Sequence, residues 1–318
     1  MKKTIIIALL GIIATTANAQ FLFKIKGGGL EKPSYILGSI HTLDGSILDS
    51  IPEYLKAEAE CEQIYFEYDI SDQQKINEMK NAGKQATTLP EGKTIFDVLS
   101  KEQTDILNTR FNETFHVNLT DSLMKTTWNY QPFVFLTTFS LIFATEEMSK
   151  HPELGMVGTP MDLVCIERAK ERGMTLGQLD QIQSQDSLAK MRDKWMENMD
   201  TQVDSLMSFL NNFEQRRQQV IDEITNTMQV AEYWKKGDYN SFKTDSKWLS
   251  EIDKTPTLFQ NRNEKWLPMI TSAMHEAPTL VVFGSGHLIG EFGIINLLHK
   301  AGYEIEQIDM NHGISDDS

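Results

Sequence analysis

Cysteine is scarce in this chain of 318 residues, with Cys61 and Cys165 the two present. Two cysteines exclude the multi-bridge frameworks of small secreted domains and the paired cysteine motifs of structural zinc sites. Each lies within an apolar helical pattern, so we expect two buried free thiols. A bridge between them is the alternative, because the start of the chain predicts export to a compartment where disulfides form.

Basic residues are also few: 30 Lys and Arg stand against 45 Asp and Glu, a formal net charge of −15. Nucleic acids bind proteins through clustered positive charge, so this balance argues against a nucleic-acid partner. Several catalytic signatures are missing as well. The chain contains no HExxH, no GxSxG nucleophile elbow, no P-loop and no GxGxxG after a strand, which excludes the enzyme classes that those motifs mark.

An apolar run long enough to span a bilayer is absent from the sequence. The run at the N terminus is short: two lysines precede an apolar core over residues 5–13. A small-x-small cleavage pattern follows at Ala17 and Ala19, so residues 1–19 predict a secretory signal peptide cut before Gln20. A retained N-terminal anchor is the alternative. We therefore expect an exported protein, periplasmic or extracellular, without stable membrane insertion after cleavage.

Strand-like apolar runs alternate with helical patterns along much of the chain, which predicts an α/β protein. Strands are expected over residues 21–26, 34–40 and 63–68. A helix over about 52–60 completes a βαβ unit, whose crossover predicts that the second and third strands are parallel neighbours. A second βαβ-like unit is expected over 279–308. The fold class is therefore α/β, with a mixed, largely parallel sheet flanked by helices.

A long helical pattern over about 181–236 interrupts this arrangement. Apolar residues recur there at spacings of three and four, as at Val203, Leu206 and Leu210, which is typical of an amphipathic helix pair. We interpret the pattern as an inserted helical lobe within a single domain over residues 20–318. A lobe packed over the carboxyl edge of the sheet would limit access to large substrates.

Two segments nearly the whole chain apart share one pattern, an apolar strand-like run that ends in Gly-Ser-x-His. The first ends at His41 and the second at His287. Glycine permits a sharp turn where a strand ends, which leaves each histidine at the carboxyl edge, where open α/β sheets bind ligands. Glu67 lies at the carboxyl end of the third strand. We expect one composite site at this edge; two loop histidines with local hydrogen bonds are the alternative.

Two neutral imidazoles and one carboxylate suit a divalent transition metal with open positions, such as manganese, cobalt or zinc. A water molecule on such a metal loses its proton more easily and attacks an electrophile. Glu67 is either the third metal ligand or a general base that stays off the metal.

Arg262 is a candidate to stabilise an oxyanion or a substrate carboxylate, with an ordinary surface position as the alternative. Asp44 and Glu291 are candidates to orient the imidazoles or to cap helices.

Four segments of the chain resemble the TraB/GumN family, which includes the Tiki-type metalloproteases. They are FLFKIKG, PSYILGSIHTLD, QIYFEYD and VVFGSGHLIGEFGIINLLHKAGYEIE, and looser similarity between them extends the resemblance over about residues 21–309. The resemblance implies an erythromycin-esterase/ChaN-like α/β fold and divalent-metal-dependent proteolysis. It implies that His41, His287 and Glu67 occupy the metal-associated positions and that Arg262 is the family's arginine before an asparagine.

The expected function is therefore that of a secreted, divalent-metal-dependent hydrolase, most simply a peptidase whose partner is a peptide or protein substrate. The alternative is a non-enzymatic exported protein that binds a ligand, for example haem, on the same scaffold. Activity on peptides with added metal separates the two, whereas a haem protein needs an exposed Tyr or His ligand and a large apolar pocket.

Overall fold

A computed structural model of the chain describes residues 21–68, 87–156, 158–180 and 198–309. Six strands in these ranges form one sheet, in the spatial order β4-β3-β5-β2-β1-β6. In chain order they are β1 (Leu22–Gly27), β2 (Ser34–Ser39), β3 (Gln63–Phe66), β4 (Thr175–Gln178), β5 (Thr279–Gly284) and β6 (Tyr303–Ile308). The sheet is mixed and mostly parallel, so the predicted α/β class is confirmed. The predicted signal peptide, residues 1–19, lies outside the described residues.

Helices occupy most of the connections between these strands. In chain order they are α1 (Pro52–Glu60), α2 (Ile95–Val98), α3 (Lys101–Phe115), α4 (Pro132–Met148), α5 (Met161–Glu171), α6 (Met199–Asn211), α7 (Phe213–Lys236), α8 (Tyr239–Thr244), α9 (Ser246–Lys254), α10 (Gln260–Glu276) and α11 (Ile294–Lys300). Short 3₁₀ turns cover Gly45–Ser50, Ser122–Thr127, Pro152–Leu154 and Ser285–Leu288. None of the described helices combines the length and the apolar character that crossing a membrane requires.

The three central strands run parallel, and β5 lies between the other two. Ser39 of β2 is opposite Gly284 of β5, and Phe66 of β3 is opposite Val282 of β5. Every residue of β2 and β5 is buried, which explains their nearly unbroken apolar sequences. The carboxyl ends of the three strands are therefore neighbours at one edge of the sheet.

The predicted strand adjacencies are wrong in two places. The second and third strands are not neighbours, because β5 inserts between β2 and β3. The last strand, β6, pairs antiparallel with β1 at the edge of the sheet instead of lying beside β5. Burial gives the physical reason. Every residue of β5 is buried, which suits a central position, whereas apolar and polar residues alternate in β6, which suits the edge of the sheet.

A second hydrophobic cluster, which we name the helical lobe, lies among helices α2, α3, α4 and α6 and the start of α7. Aromatic rings form its centre: Phe139, Phe143, Phe209 and Phe213 pack against one another with centroid separations of 5.4–6.4 Å. The lobe predicted over 181–236 supplies α6 and α7 to this cluster, and its residues 181–197 lie outside the described residues. Because α3 and α4 contribute as well, the packed unit is larger than the predicted insertion.

Helix α7 continues from the helical lobe to the sheet. Its residues Val230, Ala231 and Trp234 are buried in the core that surrounds the strands. The indole Nε1 of Trp234 donates a hydrogen bond to the Gly38 carbonyl of β2, at 2.7 Å. This bond fixes the end of α7 near the carboxyl ends of the central strands.

The buried carboxylate of Glu58 joins α1 to α5. Glu58 is 2% exposed and accepts hydrogen bonds from Arg168 (3.0 and 2.8 Å), Arg172 (3.2 Å) and Tyr54 (3.0 Å). Burial alone raises the pKa of Glu58, but the Arg168 guanidinium and the other donors outweigh it and lower the pKa. Cys61 directly follows α1 and Cys165 lies within α5. Both are buried free thiols.

We predict that Glu58→Gln lowers the free energy of unfolding at pH 7 by roughly 1.5–3 kcal/mol, the range for hydrogen bonds to charged groups. Because the pKa of Glu58 is lower in the folded chain than in the unfolded chain, its stabilisation is full above the unfolded value of about 4.3 and is lost as the pH falls further. Denaturant unfolding of both proteins between about pH 7 and pH 3 measures this. A difference that grows on acidification would contradict the account.

Candidate active site

Three neighbouring strand ends bring the predicted site residues together. His41 follows β2, Glu67 follows β3, and His287 lies in the 3₁₀ turn after β5. The Nε2 atoms of His41 and His287 lie 3.7 and 3.9 Å from the same oxygen, Oε1 of Glu67. Arg262, in the first turn of α10, donates a hydrogen bond to the other oxygen, Oε2. All four side chains therefore share one cavity.

The glycines of the two motifs permit close approach, and neither Gly38 nor Gly284 has a positive φ. Gly38 lies within β2, so the predicted turn is absent at that residue, whereas Gly284 ends β5 and the chain turns directly after it into the 3₁₀ turn. A Cβ at Gly284 would lie 2.9 Å from His41 Nε2, and a Cβ at Gly38 would lie 2.4 Å from Leu288 Cδ1. The Gly284 amide also donates to Glu67 Oε1 at 2.7 Å. Because Gly284 has no side chain, the His41 imidazole and the Glu67 carboxylate have room to meet above its backbone.

Each imidazole is oriented through its Nδ1 atom. His41 Nδ1 lies 2.7 Å from Asp162 Oδ2, and the other oxygen of Asp162 accepts from the Ser39 hydroxyl. His287 Nδ1 lies 2.6 Å from Asn263 Oδ1. The Asn263 amide nitrogen donates to two carbonyls, so its oxygen is the acceptor. Both Nδ1 atoms therefore carry a proton, and both Nε2 atoms face the cavity, the arrangement that fixes metal-ligating histidines.

Sequence reasoning missed these orienting residues. Asp44 accepts from the Ser46 amide and caps the Gly45–Ser50 turn, and the Glu291 carbonyl accepts from Asn296. Within the described ranges neither residue hydrogen-bonds an imidazole, and Asp162 and Asn263 orient the two rings instead. Asp162 lies 121 positions from His41, and an acidic residue in the first turn of a helix is ordinarily explained by the helix dipole.

Asp180 anchors the guanidinium of Arg262, and sequence reasoning missed it too. Its Oδ2 accepts from Arg262 Nη2 at 2.8 Å, and its Oδ1 accepts from the indole of Trp266 at 2.9 Å. The Arg262 guanidinium carbon lies 4.4 Å from the centroid of the Trp266 ring. Arg262 Nη1 is 3.2 Å from His287 Nε2. The cation is thereby fixed on a carboxylate and an aromatic face beside Glu67.

The site separates the pKa values of its two histidines. The hydrogen bond to Asp162 raises the pKa of His41 to about 9, whereas burial lowers the pKa of His287 to about 3. Burial by itself raises the pKa of Glu67, but the positive charges of Arg262 and His41 and the hydrogen bond from the Gly284 amide outweigh it and lower the pKa. Glu67 is therefore an anion at neutral pH, and His287 is a neutral imidazole with its Nε2 lone pair available.

The side chains at this edge are of the types that ligate a divalent metal ion. Ligands about 2.1 Å from one ion lie at most about 4.2 Å apart, and both Nε2–Oε1 separations satisfy this limit. Among the residues that the structure describes, no group of three acidic, His or Cys side chains is placed to hold a metal ion. Arg262 Nη1 lies 3.2 Å from His287 Nε2, the atom through which His287 would ligate an ion.

The cavity around these groups has a volume of about 270 Å³. Besides the four polar side chains, residues of α7, α8, α9 and the segment before α10 line it. The C-terminal half of α7 contributes Thr227 and Val230. The C-terminal half of the helix that leaves the lobe therefore forms part of the cavity wall.

Two curated proteins are similar in sequence to this chain. Metalloprotease TIKI2 of Danio rerio is 21% identical over 90% of this chain and 60% of its own length. Metalloprotease TIKI1 of Danio rerio is 23% identical over 90% of this chain and 63% of its own length. The chain thus spans about three-fifths of the length of these curated relatives. No solved structure matches the chain.

The model of the TraB/PrgY/gumN family matches residues 21–307, which include His41, Glu67, Arg262 and His287. A match over nearly all of the described chain establishes membership: this protein belongs to the TraB/PrgY/gumN family.

Proposed function

We propose that this protein is an exported, divalent-metal-dependent hydrolase that cleaves peptide bonds. One observation carries the proposal: His41 Nε2 and His287 Nε2 face a single oxygen of Glu67 at the ends of three parallel strands. The names of the curated relatives, both metalloproteases, support the same class of reaction. Export rests on the signal-peptide pattern of residues 1–19.

A divalent ion held by His41 and His287, with Glu67 either as the third ligand or as a base beside it, would lower the pKa of a bound water and polarise a scissile carbonyl. The protein's own groups have separate tasks. Asp162 and Asn263 hold the imidazoles with Nε2 toward the cavity. Glu67 is an anion at neutral pH and is placed to accept the proton of an attacking water.

Arg262 is suited to stabilise the oxyanion that forms when a peptide carbonyl is attacked. Its guanidinium carries a fixed positive charge beside Glu67, and Asp180 and Trp266 hold it in place. A charge that is already oriented needs no rearrangement when the oxyanion develops, which is the condition for effective transition-state stabilisation.

The size of the cavity favours this proposal over haem binding. A volume of about 270 Å³ is below the roughly 300–1,000 Å³ of pockets that enclose drug-sized ligands. A short stretch of peptide fits such a space, whereas a whole macrocycle does not. The exposed His41 remains the group that a haem-binding alternative would use.

We predict that Glu67→Gln lowers peptide cleavage by roughly a hundredfold or more, the loss typical of a missing general base. The assay is cleavage of a peptide library with added manganese, cobalt or zinc, and metal titration by calorimetry accompanies it. Unchanged metal affinity identifies Glu67 as a base, and weakened affinity identifies it as a ligand. Glu264→Gln removes the same charge from the exposed face of α10 and serves as the control. Cleavage at the wild-type rate by Glu67→Gln would remove Glu67 from the mechanism.

We predict that Asp162→Asn weakens metal binding or cleavage by roughly 10–100-fold, because it removes the negative charge that holds the His41 imidazole and raises its basicity. The fold should survive, since the amide is nearly isosteric with the carboxylate. Calorimetry with the same metals measures the affinity, and circular dichroism checks the fold. An Asp162→Asn protein with wild-type affinity and wild-type cleavage would show that His41 does not need a charged partner.

A further inference from the structure

The cavity beside Glu67 has an apolar wall that the hydrolytic groups do not use. Five side chains from three helices and the segment before α10 form this wall: Val230, Phe242, Trp248, Leu258 and Phe259. All five fall within residues 230–259, so one continuous stretch of chain supplies them. We name this surface the apolar wall.

The apolar wall and the reactive groups line one and the same space of about 270 Å³. A side chain against the wall must therefore belong to a residue next to the bond that is cleaved. Part of the wall is open to solvent, since Leu258 is 39% exposed. Apolar surface that remains open to solvent beside a charged cluster is characteristic of a binding site, because a ligand that covers it gains binding free energy by removing that surface from water.

We propose that the apolar wall is a specificity subsite for a bulky apolar side chain, such as leucine or phenylalanine, of a residue that flanks the scissile peptide bond. This inference rests on the proposed peptidase function. None of its five residues carries a charge, so a charged side chain placed there would lose its hydration without gaining an ion-pair partner from the wall. The wall thus selects for large apolar residues and against aspartate or lysine.

Helix α7 offers a position that tests the subsite directly. Thr227 lines the cavity one turn before Val230, and its hydroxyl bonds the Glu223 carbonyl within the helix at 3.2 Å. Thr225 makes the same type of bond to the Ile221 carbonyl at 2.8 Å but is exposed and does not line the cavity. Thr227→Phe therefore narrows the subsite, and Thr225→Phe adds the same ring to the same helix outside it.

The experiment uses the full chain loaded with manganese, cobalt or zinc and peptides that differ at one position, with Leu, Phe, Ala or Asp placed in turn at each position around the cleavage site. Wild-type protein should prefer Leu or Phe over Ala by at least about tenfold in kcat/KM at one flanking position, as expected for several methylenes in an apolar pocket. Thr227→Phe should remove this preference, and Thr225→Phe should retain it.

A second variant keeps the test independent of the folding of Thr227→Phe. Leu258→Ala truncates a partly exposed side chain of the wall, and we expect it to lower the ratio of kcat/KM for the Leu peptide to kcat/KM for the Ala peptide severalfold. Circular dichroism and thermal unfolding confirm the fold of each variant.

Cleavage with no preference among the four residues at any position would overturn the subsite and leave the peptidase proposal intact. If no peptide is cleaved with any of the metals, the peptidase proposal fails, and calorimetric binding of the same peptides decides the subsite. Tighter binding of the Leu peptide than the Ala peptide, lost in Thr227→Phe and kept in Thr225→Phe, supports it. Equal binding of both peptides by wild-type protein overturns it.

Discussion

The parallel pairing of β5 with both β2 and β3 is the constraint on which the site depends. This pairing sets Ser39 opposite Gly284 and Phe66 opposite Val282, so His41, Glu67 and His287 leave the sheet side by side. A shift of one residue in either pairing would turn every side chain of that strand to the opposite face. The all-buried sequences of β2 and β5 exclude such a shift, because one face would then lose its packing.

The partly buried carboxylate of Glu67 is the electrostatic centre of this arrangement. Two imidazoles, one guanidinium and the Gly284 amide surround it. Each of the three side chains has a second partner that holds it in place: Asp162 for His41, Asn263 for His287 and Asp180 for Arg262. A cluster supported in this way is organised before a substrate arrives, which is the physical requirement for electrostatic catalysis.

The parts of the structure that local sequence determines could be predicted, and those that depend on tertiary packing could not. Strand positions and the α/β class follow from apolar runs, and His41 and His287 follow from a motif within a few residues of a strand end. Asp162 and Asp180 could not be found in this way, because only folding brings them to His41 and Arg262. The order of the strands was missed for the same reason: β5 enters the sheet between two strands that precede it by more than 200 residues.

The central claim is that the three parallel strand ends hold one divalent ion between the two histidines. Diffraction from crystals grown with cobalt or manganese, recorded at the absorption edge of the metal, tests it most directly. The account predicts an anomalous peak roughly 2.0–2.2 Å from the Nε2 atoms of both His41 and His287, with the Arg262 guanidinium turned toward Asp180. A peak bound to other residues, or full metal occupancy that leaves either Nε2 unligated, would contradict it.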